Sequence, residues 1–356
     1  MRAPQARLLF CTAAFVACVF ATDAPARGEA IAVCPTAGAG CDFVGGDGVQ
    51  RAVDAAKSGG EIRLRAGVYS FDRFRDVPFT EHEPDGVLAL TIRAGIVIDG
   101  KTVTLTGVPG ARLDGRTGIE TSAIAVRNAR VRISNLEFSG FRAASAEDAI
   151  YDGHGIFAIN SDVEIDHVTI EGVAKMAVTA RGDTDLDLRH ARLAGNHLGV
   201  WAEETSSVSL RNVVVTATHV AGVAAYDTAA VTIYNSVIEK SADDGVYTRG
   251  DARVLVTNSL VLGNTPYGLR AVDTSEIVVR HSAVFGNREE AFADPAARVH
   301  LDDTVIRSDP MIGADYRPRP NSPLIGTGDP NGRSSLAGRP LIGLLPGMQV
   351  GPMPER

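Results

Sequence analysis

The chain has 356 residues, a net charge of −8 at pH 7, an isoelectric point near 5.5 and 45% apolar residues. This acidic balance lacks the basic footprint of a nucleic-acid-binding protein, so we expect no nucleic-acid partner. Beyond the N-terminal segment no apolar stretch approaches 18 residues in length, so we expect no membrane span.

The N-terminal segment is typical of an export signal. Basic residues precede an apolar stretch from Leu8 to Ala21, which is too short to span a bilayer. Residues 1–30 are therefore predicted to be a signal with a short linker, and the protein to be secreted or periplasmic. Lipid anchoring is not expected, because Phe15 stands where a lipoprotein signal usually has Leu. Three small residues are suitable cleavage positions: Ala21, Ala26 and Ala30.

Four cysteines bear on the compartment of the protein. Two of them lie in the predicted signal, so Cys34 and Cys41 form the pair that remains in the exported chain. Two thiols without nearby histidines do not complete a tetrahedral zinc site. We therefore predict a disulfide between Cys34 and Cys41 in an oxidising compartment.

A small residue followed by an apolar one recurs at nearly constant spacing in the middle of the chain. Each unit of so even a repeat forms one rung of a stack and cannot bury its apolar side alone. Within each rung, three short stretches rich in Val, Ile and Thr alternate apolar and polar residues, which predicts three parallel sheets. We expect an all-β solenoid of about ten coils. The pairs lie 22 or 23 residues apart: Gly155-Ile156, Ala177-Val178, Gly199-Val200, Gly222-Val223, Gly245-Val246, Gly268-Leu269 and Ala291-Phe292.

Asn or His recurs in a second column, which we call the bend column. Small polar side chains at one bend can bond to the turn backbone and to the same residue one rung away. We interpret this column as structural, its histidines included, and a weaker column of Asn after Gly in the same way. The bend column is Asn135, His167, His190, Asn212, Asn235, Asn258 and His281, and the weaker column is Asn196, Asn264 and Asn287.

These repeats resemble the right-handed parallel β-helix proteins of the pectate-lyase-like superfamily. Residues 48–56 and 61–69 look like the N-terminal cap helix and first strand of that group, and 309–329 is similar to its closing segment in many secreted bacterial members. The resemblance implies one right-handed β-helix domain over residues 31–329, with 330–356 as a C-terminal tail. It is specific for fold and says little about chemistry, because one such fold has many functions.

Function in such a rod is expected on the outside, because inward residues fill the core. Aromatic and basic residues concentrate at the outward positions of the first strand of each rung. Rungs stack about 5 Å apart, so these positions form a contiguous strip. They are Phe157, Ile159, Thr179, Arg181, Trp201, Glu203, Ala224, Tyr226, Tyr247, Arg249, Arg270 and Val272. The adjoining turn adds His154, Lys175, His197, His219, Asp243, Asp244 and Tyr267.

The same turn contains the largest insertion. The step from Ile124 to Ile156 is 32 residues, about ten more than one rung. A long turn on a regular rod suggests a binding wall. The extra residues include Glu147, Asp148, Tyr151, Asp152 and His154.

The residue types on the strip favour an acidic polysaccharide or a cell-envelope glycan as partner. Aromatic faces stack on sugar rings, and Arg pairs with carboxylate or sulfate. Exposed strand positions also accept such residues simply because they suit sheets. The predicted substrate-binding residues are Trp201, Glu203, Tyr226, Tyr247, Arg270, His154 and His197.

The resemblance also implies what a catalytic mechanism would need. In the lyases of this superfamily, Ca²⁺ held by acidic residues and an Arg or Lys base perform β-elimination on a uronate polymer, so Ca²⁺ is the candidate cofactor. No lyase signature motif is present. Candidates chosen by residue type are Arg249, Arg181 and Lys175 as base, Asp152, Asp243 and Asp244 as acids, and His219 beside the last two.

Glycoside hydrolysis is the less favoured alternative. The segments 153–155 and 243–245 are similar to two polygalacturonase motifs, but their order is reversed and they lie four rungs apart, about 19 Å along the rod. That distance is too long for an acid and base pair. Two classes of function stay open: an exported enzyme acting on a polysaccharide, and a non-catalytic glycan-binding or structural rod.

Overall fold

A computed structural model of the chain describes residues 30–83, 86–143, 150–332, 335–336, 339–344 and 351–352. The predicted export signal lies outside the described residues, as do Glu147 and Asp148 of the insertion.

The chain coils into a parallel β-helix with three faces, as the repeat predicts. Most rungs contribute one strand to each face, and these strands pair in parallel with their counterparts on the next rung. We call the faces sheets 1, 2 and 3 in the order in which a rung meets them. Sheet 1 contains the small-plus-apolar pairs.

The strands of sheet 1 are Gly86–Asp99, Ser122–Arg127, Ile156–Ile159, Met176–Arg181, Leu198–Ala202, Val223–Ala225, Val246–Thr248, Tyr267–Ala271 and Glu289–Ala293. Those of sheet 2 are Ile31–Cys34, Phe43–Val44, Gly60–Leu64, Thr102–Gly107, Asp185–Arg189, Ser207–Arg211, Ala230–Tyr234, Arg253–Thr257, Glu276–Arg280 and Arg298–Leu301. Those of sheet 3 are Gly67–Phe71, Ala111–Gly118, Arg192–Ala194, Val214–Thr216, Val237–Glu239, Leu260–Leu262 and Ala283–Phe285. Arg130–Ser139 and Asp162–Glu171 run through both sheets 2 and 3. The short strands Ser335–Leu336 and Arg339–Pro340 form a separate antiparallel pair.

The bend column lies between sheets 2 and 3, where the chain must turn sharply. Its seven residues have φ angles between 43° and 56°. Asn and His are enriched among the non-glycine residues that adopt this left-handed conformation, which explains why these two types recur.

Other polar residues link successive rungs. The amide of Asn264 in the weaker column donates to Asn287 at 2.9 Å, and the backbone N–H of Ser236 donates to the hydroxyl of Ser259 at 3.1 Å. The bend column also contacts the C-terminal segment, since Asn235 donates to the carbonyl oxygen of Gly343 at 2.7 Å. These bonds satisfy polar groups that the buried bends would otherwise leave unpaired.

A helix, Gly46–Ala55, covers the N-terminal end of the rod. It packs Val49, Ala52 and Val53 on the first coil, and all three are almost fully buried. Cys34 and Cys41 are disulfide-bonded at this end, as predicted. In the part of the chain that the structure describes, no helix has the length and apolar character needed to cross a membrane.

One feature of the fold was not predicted. Arg75–Glu83 runs antiparallel to the first part of Gly86–Asp99, and we call these two strands the covering hairpin. The later part of Gly86–Asp99 pairs with the next strand of sheet 1, while Ile150–Tyr151 pairs with the earlier part. Apolar hairpin residues then bury the outer face of sheet 1 at Phe157.

The C-terminal segment covers part of sheet 3. Leu324, Leu341 and Ile342 pack against residues such as Val237 and Leu260 on its outer side. The outer faces of two sheets are therefore partly covered, which limits where a polymer could lie on this rod.

Candidate functional site

Arg181 occupies the predicted outward position on sheet 1, but the covering hairpin buries it. The side chain is 1% exposed, and its guanidinium pairs with Glu81 of the hairpin at 2.6 Å and with Glu203 of the next rung at 3.2 Å. Glu204 lies 3.8 Å away. The expectation that Arg181 is exposed on the strip is wrong, because the hairpin separates it from any polymer.

Glu203 links the buried arginine to the exposed part of sheet 1. Burial raises the pKa of Glu203 to about 7, although Arg181 and a hydrogen bond from Trp201 act in the opposite direction. The indole nitrogen of Trp201 donates to Glu203 at 2.9 Å. This carboxyl therefore changes charge near neutral pH and positions the indole.

His154 is also buried, contrary to its predicted role in contacting substrate. It is 1% exposed, stacks on Tyr151 at 5.8 Å and lies 3.1 Å from the hydroxyl of Thr179. Burial lowers its pKa to about 3, and the charges of Lys175 and Arg181 act in the same direction. His154 is therefore a neutral residue of the packing beneath the hairpin.

The described end of the insertion belongs to the same packing. Tyr151 makes edge contacts with Phe79 of the hairpin and with Phe157, at 5.5 and 6.1 Å, and Asp152 is 1% exposed. Asp152 therefore lies inside the protein and not on an exposed acidic surface.

Beyond the hairpin, the outer face of sheet 1 carries an aromatic cluster. The rings of Trp201 and Tyr226 stack at 4.1 Å with 22° between their planes, and Tyr226 contacts Tyr247 at 5.5 Å. Ala224, on the intervening rung, leaves room for this arrangement and is fully buried by it. The sequence predicted that these residues line one face, and the structure brings them together.

The packing within this cluster restricts how its rings can contact a sugar. Stacked rings 4.1 Å apart leave no space for a sugar ring between Trp201 and Tyr226. Met176 and Val220 join the same cluster, so Trp201 is half-buried. A polysaccharide would therefore contact only those parts of the rings that remain exposed, because no sugar ring fits between Trp201 and Tyr226.

Arg270 lies at the other end of this cluster. Its guanidinium is 5.5 Å from the ring centre of Tyr247, 5.7 Å from that of Tyr267 and 5.8 Å from that of Phe292. The side chain is 35% exposed. A guanidinium held among three rings keeps a defined direction, so it can present donors to an anionic group. The repeat predicted Phe292 as the inward counterpart of Leu269, and this is wrong: the last strand of sheet 1 is shifted by one residue, so Ala291 pairs with Leu269 and Phe292 pairs with Arg270 on the outer face.

Asp244 pairs with Arg270 from the adjoining turn. The two side chains approach to 3.5 Å, and the Asp244 side chain is 3% exposed. Burial and the neighbouring Asp243 raise the pKa of Asp244 to about 6, while Arg270 opposes this shift. Its second carboxylate oxygen is buried without a hydrogen-bond partner among the described residues. A carboxyl in this state can keep a proton at mildly acidic pH.

Arg249 is the most exposed cation of the strip. Its side chain is 60% exposed and forms one ion pair, with Asp273, at 3.2 Å. An exposed pair of this kind is weak and can exchange for an anionic ligand.

The turn beside the strip carries three exposed basic side chains. Lys175 and His197 lie on successive rungs, and His219 lies on the next. Partial burial lowers the pKa of His197, and the charges of Lys175 and His219 lower it further. His219 lies one rung before Asp243 and Asp244, as the sequence predicted, but within the described residues no ion pair joins it to either of them.

The acidic residues of the strip do not fit a calcium site. Ca²⁺ takes six to eight oxygen ligands, commonly from several carboxylates. Asp244 points one oxygen at Arg270, and no group of three carboxylates at metal-binding spacing occurs along the described strip. We therefore derive no step through Ca²⁺.

Residues 94–284 match the family described as right handed beta helix region. The chain belongs to the right-handed β-helix family. This confirms the predicted fold class, including its handedness.

Two solved members of similar fold are pectate lyases. Pectate lyase Pel9A shares 12% sequence identity with this β-helix protein, with a TM-score of 0.53 over 89% of this chain and 96% of that one. Pectate lyase pelN from Paenibacillus sp. 0602 shares 13% identity, with a TM-score of 0.50 over 77% of this chain and 78% of that one. No curated protein sequence matches the chain. At these identities the likeness shows the fold alone.

Proposed function

We propose that this β-helix protein is exported and binds an acidic polysaccharide along the exposed part of sheet 1. The observation that carries the proposal is the group formed by Tyr247 and Arg249 on one rung of sheet 1 and Arg270 on the next. The guanidinium of Arg270 lies 5.5 Å from the ring centre of Tyr247, and Arg249 follows Tyr247 by two residues on the same rung. Two guanidiniums close to an aromatic ring suit a polymer with a carboxylate on each sugar.

The charges of the strip support an anionic ligand more than a neutral one. Arg249 is 60% exposed, its one ion pair among the described residues is with an exposed aspartate, and Arg270 is oriented by three rings. Lys175 and two histidines add basic groups along the neighbouring turn. The disulfide between Cys34 and Cys41 supports an oxidising, extracytoplasmic location.

Binding is tested by titrating the protein with polygalacturonate, alginate and the neutral polymer dextran. The emission of Trp201, the single Trp of the chain, and isothermal calorimetry report binding. We expect both acidic polymers to bind more tightly than dextran, and Arg249→Ala to weaken acidic binding by about 1.5 to 3 kcal/mol.

Arg253→Ala is the matched control, because Arg253 is an exposed arginine of the same rung as Arg249 but lies on sheet 2 and not on the strip. It should bind as the wild type does. Equal affinity for dextran and polygalacturonate, or equal loss in both variants, would overturn the proposal.

A second candidate function is β-elimination on the same polymer. Asp244 favours it, because a carboxyl with a pKa of about 6 holds a proton that it can donate to the leaving oxygen once its side chain, 3% exposed here, turns outward, while Arg270 beside it neutralises the uronate carboxylate. Arg249 is then the candidate base, and because its hydrogen bond with Asp273 raises its pKa, that pair has to open before Arg249 can accept a proton. The test is the appearance of unsaturated product at 235 nm with polygalacturonate, which Asp244→Asn should abolish. Binding without product would leave a glycan-binding rod, the alternative function.

A further inference from the structure

Three metal-binding side chains meet at the bend between sheets 2 and 3, far from the strip on sheet 1. His167 and His190 occupy the bend column on successive rungs, and Asp166 directly precedes the first of them. The δ1 nitrogen of His167 lies 2.9 Å from one carboxylate oxygen of Asp166, and that of His190 lies 2.7 Å from the same oxygen. The two imidazole rings stack with their centres 4.6 Å apart.

The repeat itself shows that this combination is unusual within the chain. The bend column requires a positive φ, and four of its seven positions satisfy this with Asn. Here two successive rungs have His. On the strand position before the bend, the neighbouring rungs have Ser134 and Arg189, so only this rung of the three places a carboxylate beside the histidines. A structural bend needs neither change, because the Asn rungs form the same bend.

The three side chains contact one another and are still partly exposed to solvent. The side chains of His167 and His190 are 19% and 18% exposed, and that of Asp166 is 41% exposed. A groove of about 360 Å³ opens beside Asp166 and His167. A buried amide oxygen of Asn135, which also lines the groove, has no hydrogen-bond partner within the described part of the chain. The site therefore has room for a small ion with bound water.

We propose that Asp166, His167 and His190 bind a divalent transition-metal ion, with Zn²⁺ as the representative case. One ligand atom from each residue lies within 4.8 Å of the others. Tetrahedral Zn²⁺ with bonds of about 2.0 to 2.2 Å separates its ligands by roughly 3.4 Å. The δ1 nitrogens lie 2.9 and 2.7 Å from the Asp166 oxygen, so small side-chain rotations that move these atoms apart would admit the ion. Two imidazoles and a carboxylate suit Zn²⁺ and its neighbours better than Ca²⁺ or Mg²⁺.

Nearby charges leave this cluster available to a cation. Arg132 is paired with Glu164 at 2.6 Å, and Arg189 is paired with Asp187. Both arginines lie on the groove, and their carboxylate partners line it too. Binding would replace the two hydrogen bonds to Asp166 with metal bonds from the δ1 nitrogens, and each imidazole would then carry its proton on Nε2. Three protein ligands leave a fourth position for water from the groove.

The test is metal binding to the chelator-treated protein, purified without a polyhistidine tag and with its disulfide intact. Calorimetry should show one Zn²⁺ per chain. Co²⁺, used as a spectroscopic probe, should give visible absorption bands of the intensity typical of a four-coordinate site. His167→Asn and His190→Asn should each weaken Zn²⁺ binding at least tenfold.

These two substitutions place in the bend column the residue that other rungs have there, so the fold should persist. His281→Asn is the matched control, because His281 belongs to the same bend column but is not part of the cluster of Asp166, His167 and His190. It should leave Zn²⁺ affinity unchanged. Absence of stoichiometric binding would overturn the proposal, and so would wild-type affinity in both His167→Asn and His190→Asn.

Discussion

The indole of Trp201 donates a hydrogen bond to Glu203, and Glu203 in turn pairs with the buried Arg181. The carboxyl of Glu203 therefore contacts both the exposed strip and the side chains packed beneath the covering hairpin. Because that carboxyl has a pKa of about 7, its charge state can be read from the indole it binds.

The first prediction concerns this titration. The emission of Trp201 should change with a midpoint near pH 7 as Glu203 loses its proton, and Glu203→Gln should abolish the transition. Glu204→Gln is the control, since Glu204 lies further from Arg181 at 3.8 Å and is not bound to the indole. A transition that survives in Glu203→Gln would show that another group is responsible.

The stability of the fold should depend on the same group. The folded pKa of Glu203 is raised above its unfolded value of 4.5. The folded state therefore holds the proton more tightly between pH 4.5 and 7, and the stability that this proton confers is lost as pH rises through that range. The difference in stability between wild type and Glu203→Gln, measured by urea unfolding at several pH values, should follow this slope.

Arg181→Met should destabilise the protein strongly. It leaves Glu81 and Glu203 buried without their cation, and breaking a buried pair in this way costs about 3 to 5 kcal/mol. The matched control is Arg130→Met, because Arg130 forms a pair with Asp162 in which the two side chains are 73% and 46% exposed. That variant should lose about 1 kcal/mol or less. Comparable losses in the two variants would contradict the buried arrangement.

The sequence predicted the repeated part of this fold well, and it failed where the repeat is interrupted. A period of 22 or 23 residues fixes which side chains stack, so the line from Trp201 to Arg270 followed from counting alone. The covering hairpin has no counterpart in the other described rungs. Counting positions along the repeat therefore placed Arg181 and His154 on the exposed outer side of the rod, although the structure buries both. A weak signal was present, since Val77 and Phe79 lie two positions apart, as apolar residues on one face of a strand do, between the polar Asp76 and Thr80.

The candidate metal site was missed for the opposite reason, because its histidines follow the repeat. His167 and His190 belong to a regular column, and regularity favoured a purely structural interpretation. What distinguishes them is a third residue, Asp166, whose oxygen lies within 3 Å of both rings. Such a distance depends on side-chain conformation and cannot be obtained from spacing.

Asn235→Leu should destabilise the β-helix and loosen its C-terminal segment together. Asn235 is 1% exposed, has a φ of 48° and donates to the carbonyl oxygen of Gly343. Leu loses that hydrogen bond, at about 1 to 3 kcal/mol, and is strained in the left-handed conformation. The melting temperature should fall, and limited proteolysis should cut residues 330–356 faster. Asn235→Gly tolerates the backbone angle but lacks the bond, so it should lose less stability while the segment is still released.

The last prediction follows from the burial of His154. Its folded pKa of about 3 lies below its unfolded value of 6.5, so the unfolded chain binds a proton first as pH falls. The stability contributed by this neutral histidine is present above pH 6.5 and declines from there toward pH 3. His154→Gln keeps a polar group near the Thr179 hydroxyl and removes the titration, so its stability should fall less between pH 6.5 and 4.5 than that of the wild type.

His219→Gln, which changes an exposed histidine, should follow the wild type over the same interval. The titration of Glu203 changes the stability in the opposite direction over this pH range, so the free energy of unfolding in urea is compared between variant and wild type at each pH. Parallel curves for His154→Gln and wild type would place His154 in water and not beneath the hairpin.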